Sequence, residues 1–208
     1  MTPAAQQGEA IVFVVDDDRS IRDAIADLLD AVGIATRCFS SAETFLAEER
    51  PPVPSCLVLD VRLPGVSGLH FQDELARADI RIPIIFISAH ADVPMSVRAM
   101  KAGAVEFLPK PFREQELLDA VQLALKRDAE RIERDRSASE LRANVERLTP
   151  REREILEHVA AGLMNKQIAA RMGLAEITVK IHRGNLSRKL GTRSLAELIR
   201  LAQTVTDG

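Results

Sequence analysis

Short, unbroken apolar runs predict strands at 11–15 (IVFVV), 34–39, 56–59 (CLVL), 82–87 and 105–108, each bounded by turn residues. Between them apolar residues return at helical spacing. Over 20–32, Ile21, Ile25, Leu28, Leu29 and Val32 fall on one face, and Gly33 ends the pattern. Further helices fit from Ser41 through Glu48, from the turn-rich LPGVSG to Ala78, over 93–102, and from Arg113 onward. Five strands alternating with five helices is the pattern of a doubly wound parallel sheet.

Beyond Leu125 the rhythm changes. The stretch KRDAERIERDRSASELRANVER (126–147) lacks Pro and Gly, and its apolar residues Ile132, Leu141 and Val145 are too widely spaced for a buried helix. It reads as a solvated helical connector, and its heptads are too incomplete for a dimerising coiled coil. At Thr149 a new domain opens with a capping box: Thr149 at the cap, Pro150 at the first helical position and Glu152 three residues on. Helices follow to Ala161, over 165–172 (stopped by Gly173), over 176–190 (stopped by Gly191), and from the Ser194–Glu197 pair to Val205. The expected fold class is α/β plus all-α. A five-stranded parallel (βα)5 domain at 10–125 is joined by a helical linker at 126–147 to a four-helix helix-turn-helix domain at 148–206.

Composition sharpens this division. Hydrophobic and charged contents of 46% and 28% are ordinary for a globular chain, but the net charge of −3 hides an asymmetry. Through Leu125 there are 11 Lys and Arg against 19 Asp and Glu, a balance of −8; from Lys126 there are 17 against 12, a balance of +5. Between Lys166 and Arg193 seven basic residues meet one acidic residue, Glu176. An acidic half joined to a locally basic half predicts two domains with different partners, the second a polyanion. Cys38 and Cys56 make neither a CxxC pair nor a metal-ligand spacing, and are expected as buried small hydrophobes in a reducing compartment. No apolar stretch approaches the ~20 residues of a membrane span. MTPAAQQGEA lacks the basic start and apolar core of a signal peptide, so a short disordered lead-in and a cytoplasmic location are expected.

The chemistry-bearing residues stand where strands end. Asp16 and Asp17 close the first run and Asp60 closes the third. In open α/β sheets ligands bind outside the carboxyl ends of the strands. Three carboxylates there would repel one another by roughly 3 kcal/mol per pair at ~5 Å and an effective dielectric near 20. Mg²⁺, which prefers a few carboxylates plus waters and a phosphoryl oxygen, relieves that repulsion. The first domain therefore looks built to hold Mg²⁺ beside one phosphate-accepting Asp.

Four motifs in order, VVDDD (14–18), VLDVRLPGVSG (58–68), ISAH (87–90) and FLPKPF (107–112), make the first half resemble a two-component receiver domain. The resemblance implies that Asp16 and Asp17 bind Mg²⁺ and that Asp60 accepts a phosphoryl group. It also implies that Arg62 gives a backbone carbonyl to the metal and that Ser88 and Lys110 contact the phosphoryl oxygens. Phe107 would be the switch aromatic, and Lys110–Pro111 would be cis. Acidic pairs after strands also occur as helix caps, a role open to Asp18 or Ser20. An aspartate-nucleophile phosphatase of the haloacid dehalogenase type needs a second Asp two residues beyond the first. Arg62 holds that place and cannot act as an acid at neutral pH, so a regulator rather than a turnover enzyme is expected. Arg62 and His90 would tune water access to the acyl phosphate.

The second half, through LTPREREILEHVAAGLMNKQIAARMG (148–173), TVKIHRGNLSRKLG (178–191) and SLAELIRLA (194–202), resembles the LuxR-type helix-turn-helix module. The resemblance implies a recognition helix in the major groove. Val179, Leu186 and Leu190, with Ile177 or Ile181, would bury it against Ile155, Leu156 and Ile168. Lys180 is the first candidate for base-edge readout, followed by Arg183 and Asn185. Lys166, Thr178, Arg188 and Lys189 would meet phosphates, with His182 on the same polar surface. Ala175 and Glu176 stand where the family usually has Ser then Pro. Together the halves resemble the NarL/FixJ group of response regulators, with 92–112 and TPRERE most like FixJ. Implied partners are a sensor histidine kinase, double-stranded promoter DNA, a second copy of the phosphorylated chain and RNA polymerase, with no membrane. A signalling protein acting through protein partners and a phosphorylation-independent DNA binder are the alternatives.

Overall fold

The computed structural model describes residues 10–90 and 92–206; the expected lead-in at 1–9 lies outside them. The chain divides into two compact units, 1–134 and 135–208. In the first, β1 (Ile11–Val15), β2 (Ala35–Phe39), β3 (Ser55–Asp60), β4 (Ile84–Ser88) and β5 (Glu106–Pro109) form one parallel sheet in the order β2-β1-β3-β4-β5. The order reverses beside β1, so the crevice outside β1 and β3 is a topological switch point. The acidic residues that close these two strands are delivered into it.

Two cores sandwich the sheet. Phe13, Leu57, Leu59 and Phe86 point to one face, where α2 (Ala42–Leu46), α3 (Gly68–Arg77) and α4 (Val93–Lys101) bring Phe45, Phe71, Leu75 and Ala99. Val12, Val14, Val58, Ile85 and Ile87 point to the other. There α1 (Arg19–Asp30) brings Ile25 and Leu29, and α5 (Glu114–Glu146) brings Leu117 and Val121. Alternate strand residues enter opposite cores because successive side chains point to opposite faces. Burial on both faces explains the unbroken apolar runs.

Three sequence expectations need correction. Helix α1 ends at Asp30, so Val32 lies past its last turn and is 51% exposed. Cys38 is exposed and Cys56 buried: β2 is the sheet edge, where alternate residues face water. The connector is not uniformly solvated. Asp128, on the continuous helix α5, is buried, accepting from the Ser55 backbone N–H at 2.9 Å and from the Arg131 guanidinium at 2.9 Å. Leu141 and Val145, further along, pack on the core of the second unit.

In that second unit α6 (Pro150–Ala160), α7 (Asn165–Met172), α8 (Glu176–Lys189) and α9 (Leu195–Thr206) enclose Ile155, Leu156, Val159, Ile168, Val179, Leu186 and Leu198. Thr149 and Glu152 form the expected capping box at the start of α6. Gly173, in the left-handed region at φ 64°, ends α7 and turns the chain toward α8.

Candidate functional site

Asp16 and Asp60, one residue beyond β1 and the last of β3, are buried, and Asp17 is exposed beside them. Carboxylate oxygens of the three lie within 4.8 Å of one another. Lys110, just past β5, reaches in from the far side. Its Nζ donates to Asp16 Oδ2 at 2.6 Å and to Asp60 Oδ1 at 3.2 Å. The ammonium thus spans both buried acids, and the lysine's own backbone N–H is anchored on the Ser88 carbonyl at 2.7 Å. Lys110–Pro111 is cis, as the family resemblance implied.

The electrostatics follow from this enclosure. Burial pushes the Asp60 carboxyl above its ordinary range and Asp16 adds to the rise, against the pull of Lys110. For Lys110 burial works toward deprotonation, but hydrogen bonds and charge from Asp16 and Asp60 outweigh it and hold the ammonium above its ordinary value. The lysine therefore stays charged while its partners compete for compensation. All three acidic residues offer hard oxygens, the donor set that suits Mg²⁺. Asp60 Oδ2 accepts from the Arg62 backbone N–H at 3.1 Å, which orients the carboxylate.

The remaining receiver residues surround this cluster. Asp60 pairs with Ile87 across β3 and β4, so Ser88 ends the neighbouring strand; it is buried, and its Oγ accepts from His90 N–H at 3.2 Å. Phe107 is half-buried on β5, its ring 6.1 Å from that of Phe86.

In the second unit Lys166 and Lys180 are exposed, while Thr178, His182, Arg183 and Asn185 are half-buried. Arg183 donates to Asn165 Oδ1, and burial draws its guanidinium below the ordinary arginine value. Arg188 is exposed and donates to Asn185 Oδ1 at 3.3 Å. Lys189 donates to the buried Glu152 at 2.7 Å, tying the end of α8 to the start of α6. Val179, Leu186 and Leu190 are buried as expected, but Ile177 and Ile181 are 62% and 58% exposed. Neither isoleucine joins the core, because Val179 already turns the buried face of the helix inward. Ala175 caps α8 without a side-chain hydrogen bond.

Residues 12–122 match the family model described as response regulator receiver domain, and residues 146–202 match that of bacterial regulatory proteins, luxR family. The chain belongs to the response regulators. Nodulation protein W of Bradyrhizobium diazoefficiens is 57% identical over 197 residues, 95% of this chain and 87% of that protein. Transcriptional regulatory protein FixJ of Azorhizobium caulinodans is 40% identical over 191 residues, 92% and 90% of the two chains. The solved structure of response regulator StyR is 49% identical with a TM-score of 0.83, covering 95% of this chain and all of that one. This response regulator thus joins a receiver to a LuxR-type DNA-binding domain, and its relatives are transcriptional regulators.

Arg22 and Gly68 position these sites although no sequence signal named them, and Asp18 and Glu152, both expected as caps, make further contacts. Arg22 Nη1 donates to the backbone carbonyls of Asp16 (2.7 Å) and Asp17 (2.9 Å), fixing the loop that presents both acids. Gly68 opens α3 so close to β3 that a Cβ there would lie 2.5 Å from the Asp60 carbonyl oxygen. Its N–H donates to Val61 O at 2.8 Å, closing the loop after Asp60. Asp18 caps α1 through Ser20 N–H at 2.8 Å and gives its own N–H to Asp16 Oδ1 at 2.9 Å. Glu152 was legible as a cap, but its tie to Lys189, 37 residues away, was not.

Proposed function

We propose that Asp60 of this response regulator accepts a phosphoryl group from a phosphohistidine of a sensor kinase, and that the modification controls dimerisation and promoter binding. The enclosure of Asp60 by Asp16 and Lys110 carries this reading. A carboxylate oxygen of Asp60 attacks phosphorus, the phosphorus–nitrogen bond to the kinase imidazole breaks, and the leaving imidazole takes up a proton. The product is an acyl phosphate on Asp60. Such transfer needs positioning and charge neutralisation more than covalent help from the protein. The Arg62 N–H orients the attacking carboxylate, and the Lys110 ammonium moves its hydrogen bond from Asp60 to a phosphoryl oxygen. Asp16, Asp17, Asp60 and the Arg62 carbonyl would hold Mg²⁺, which supplies charge neutralisation at the phosphoryl oxygens.

After transfer the Ser88 hydroxyl, whose oxygen accepts from His90 N–H, donates its proton to a phosphoryl oxygen, drawing its loop inward and freeing space for the Phe107 ring. A local charge thereby repacks the face formed by α4 and β5. The receiver spans 10–125, the connector 126–147 and the DNA-binding domain 148–206, and the chain works in the cytoplasm. No helix among the described residues is long and apolar enough to cross a membrane. In the DNA-binding domain Lys180 leads base readout, with Arg183 and Asn185 behind it and His182 beside them. Lys166, Thr178, Arg188 and Lys189 meet phosphates, and a dimer reads paired half-sites for RNA polymerase.

The test is sedimentation mass with Mg²⁺, with and without a beryllofluoride phosphoryl mimic, on the parent chain and Asp60→Ala. A monomer-to-dimer shift in the parent that Asp60→Ala loses is the expected result. A dimer that ignores the mimic would favour phosphorylation-independent DNA binding.

A further inference from the structure

Helix α8 carries three residues on its outer face that nothing inside the protein explains. Ile177 and Ile181, one turn apart, are 62% and 58% exposed. Gly184 continues the same stripe at i+7 and lies in the helix interior. Glycine there is destabilising relative to alanine, and is retained where backbone must bend or something must come close. Neither internal reason applies: Gly184 is not among the positive-φ glycines, and a Cβ built on it would meet no atom within 4 Å. The space it leaves belongs to an open groove that Asn165, Lys180, Arg183, Ser187, Leu195 and Leu198 also line.

The neighbours of this stripe say what comes close. Lys180 is exposed between the two isoleucines in sequence, and exposed Arg188 follows one turn after Gly184. Among described residues the segment from Lys166 to Arg193 holds seven basic residues and one acidic. A basic surroundings with an apolar centre matches the major groove, where phosphates flank the edges and thymine methyl groups line the floor. We infer that Ile177 and Ile181 read thymine methyls in the operator, and that Gly184 lets the helix backbone approach the base edges. This rests on the reading of α8 as the DNA-facing helix and names what that helix selects. The isoleucines are about 6 Å apart along the axis, so they select thymines about two base-pair steps apart. The stripe specifies T-containing steps, whereas the flanking cations bind without regard to sequence.

The experiment selects operator duplexes from a random pool with the full-length chain, Mg²⁺ and beryllofluoride, then replaces each thymine by deoxyuridine, which removes only the methyl group. Two replacements in each half-site should each weaken binding about fourfold, the worth of one methyl-sized apolar group. Ile181→Ala should be insensitive to one of these and Ile177→Ala to the other. Gly184→Ala should raise the melting temperature of the domain and still weaken operator binding, a split that a purely structural role could not produce. Deoxyuridine effects below twofold at every position, or equal effects in parent and variants, would overturn the inference while leaving α8 as a DNA-binding helix. Failure to select any sequence from the pool, with Asp60 still taking the mimic, would overturn the DNA reading itself.

Discussion

At the carboxyl ends of β1, β3 and β5, acids and a lysine are enclosed and answer one another, with Lys110 bonded to both Asp16 and Asp60. Along α8 and the start of α7, Lys166, Lys180 and Lys189 stand exposed; half-buried Arg183 holds an acceptor in α7, and Lys189 reaches back to the buried Glu152 of α6. Enclosed charge must be compensated inside the fold, so its geometry is set before any ligand arrives. Exposed charge is compensated by water, and a partner gives it its arrangement. The receiver site is therefore a machine part with fixed spacing, and α8 is a surface whose chemistry would be completed by what docks on it.

The largest break in this comparison comes from removing Asp60, the proposed phosphoryl acceptor. Asp60→Asn should lower phosphoryl uptake from a small-molecule phosphodonor by at least about a hundredfold. It should leave the melting of the helical unit unchanged. Retained uptake on another residue, read by mass spectrometry of tryptic peptides, would remove Asp60 from its role. Next in size is Lys110→Ala. It leaves Asp16 and Asp60 buried without their cation and should cost roughly 3 kcal/mol of receiver stability by denaturant titration. Added Mg²⁺ should restore part of that loss, since binding to the folded state alone stabilises it. Equal losses with and without Mg²⁺ would mean that the acidic cluster takes up no metal.

The same contrast governs what could be read without a structure. The receiver was legible because strand runs, acids at strand ends and the Lys-Pro pair all point to one arrangement of parts. Arg22 and Gly68 escaped because their roles are backbone relations: a guanidinium on the carbonyls of Asp16 and Asp17, and an absent Cβ against the Asp60 carbonyl. Cys38 was misread because a strand's apolar rhythm does not say whether it lies at the edge of a sheet, and β2 does. On α8 the rhythm found Val179 and Leu186 but offered Ile177 or Ile181 as a further core residue. A hydrophobic side chain on a binding helix carries the same letter whether it faces core or ligand. Asp128 shows the converse, an acid in a charged connector that is nevertheless buried against Ser55.

A smaller effect sharpens the comparison inside the helical unit. Burial works against ionisation of Glu152, but hydrogen bonds from Lys189 and Thr149 outweigh it and hold its carboxyl below the ordinary value of 4.5. A carboxyl depressed in the folded state contributes stability that is fully present above its unfolded value and is lost as pH falls through the folded one. Thermal melts of the parent should therefore decline as pH drops below about 4.5, and Glu152→Gln should lose this component of the decline. At pH 7 the variant should be less stable by about 1 kcal/mol, the weight of a capping interaction. An unchanged acid limb would place the stabilising charge elsewhere.

The last prediction separates cations that belong to the fold from cations that belong to the ligand. Lys166→Ala should leave melting unchanged and reduce the slope of log binding constant against log salt by about 0.9 per bound protomer, the signature of one lost phosphate contact in each half-site. Lys189→Ala removes the partner of buried Glu152, so its first effect should be a lower melting temperature. Its slope change measures how much of this ammonium, already bonded at 2.7 Å, remains available to DNA. Lysine has three donors, and one is taken. A full change of about 0.9 at Lys189 with unaltered melting would mean that the tie to Glu152 gives way when DNA binds, and that even a cation paired within this domain takes its final partner from the groove.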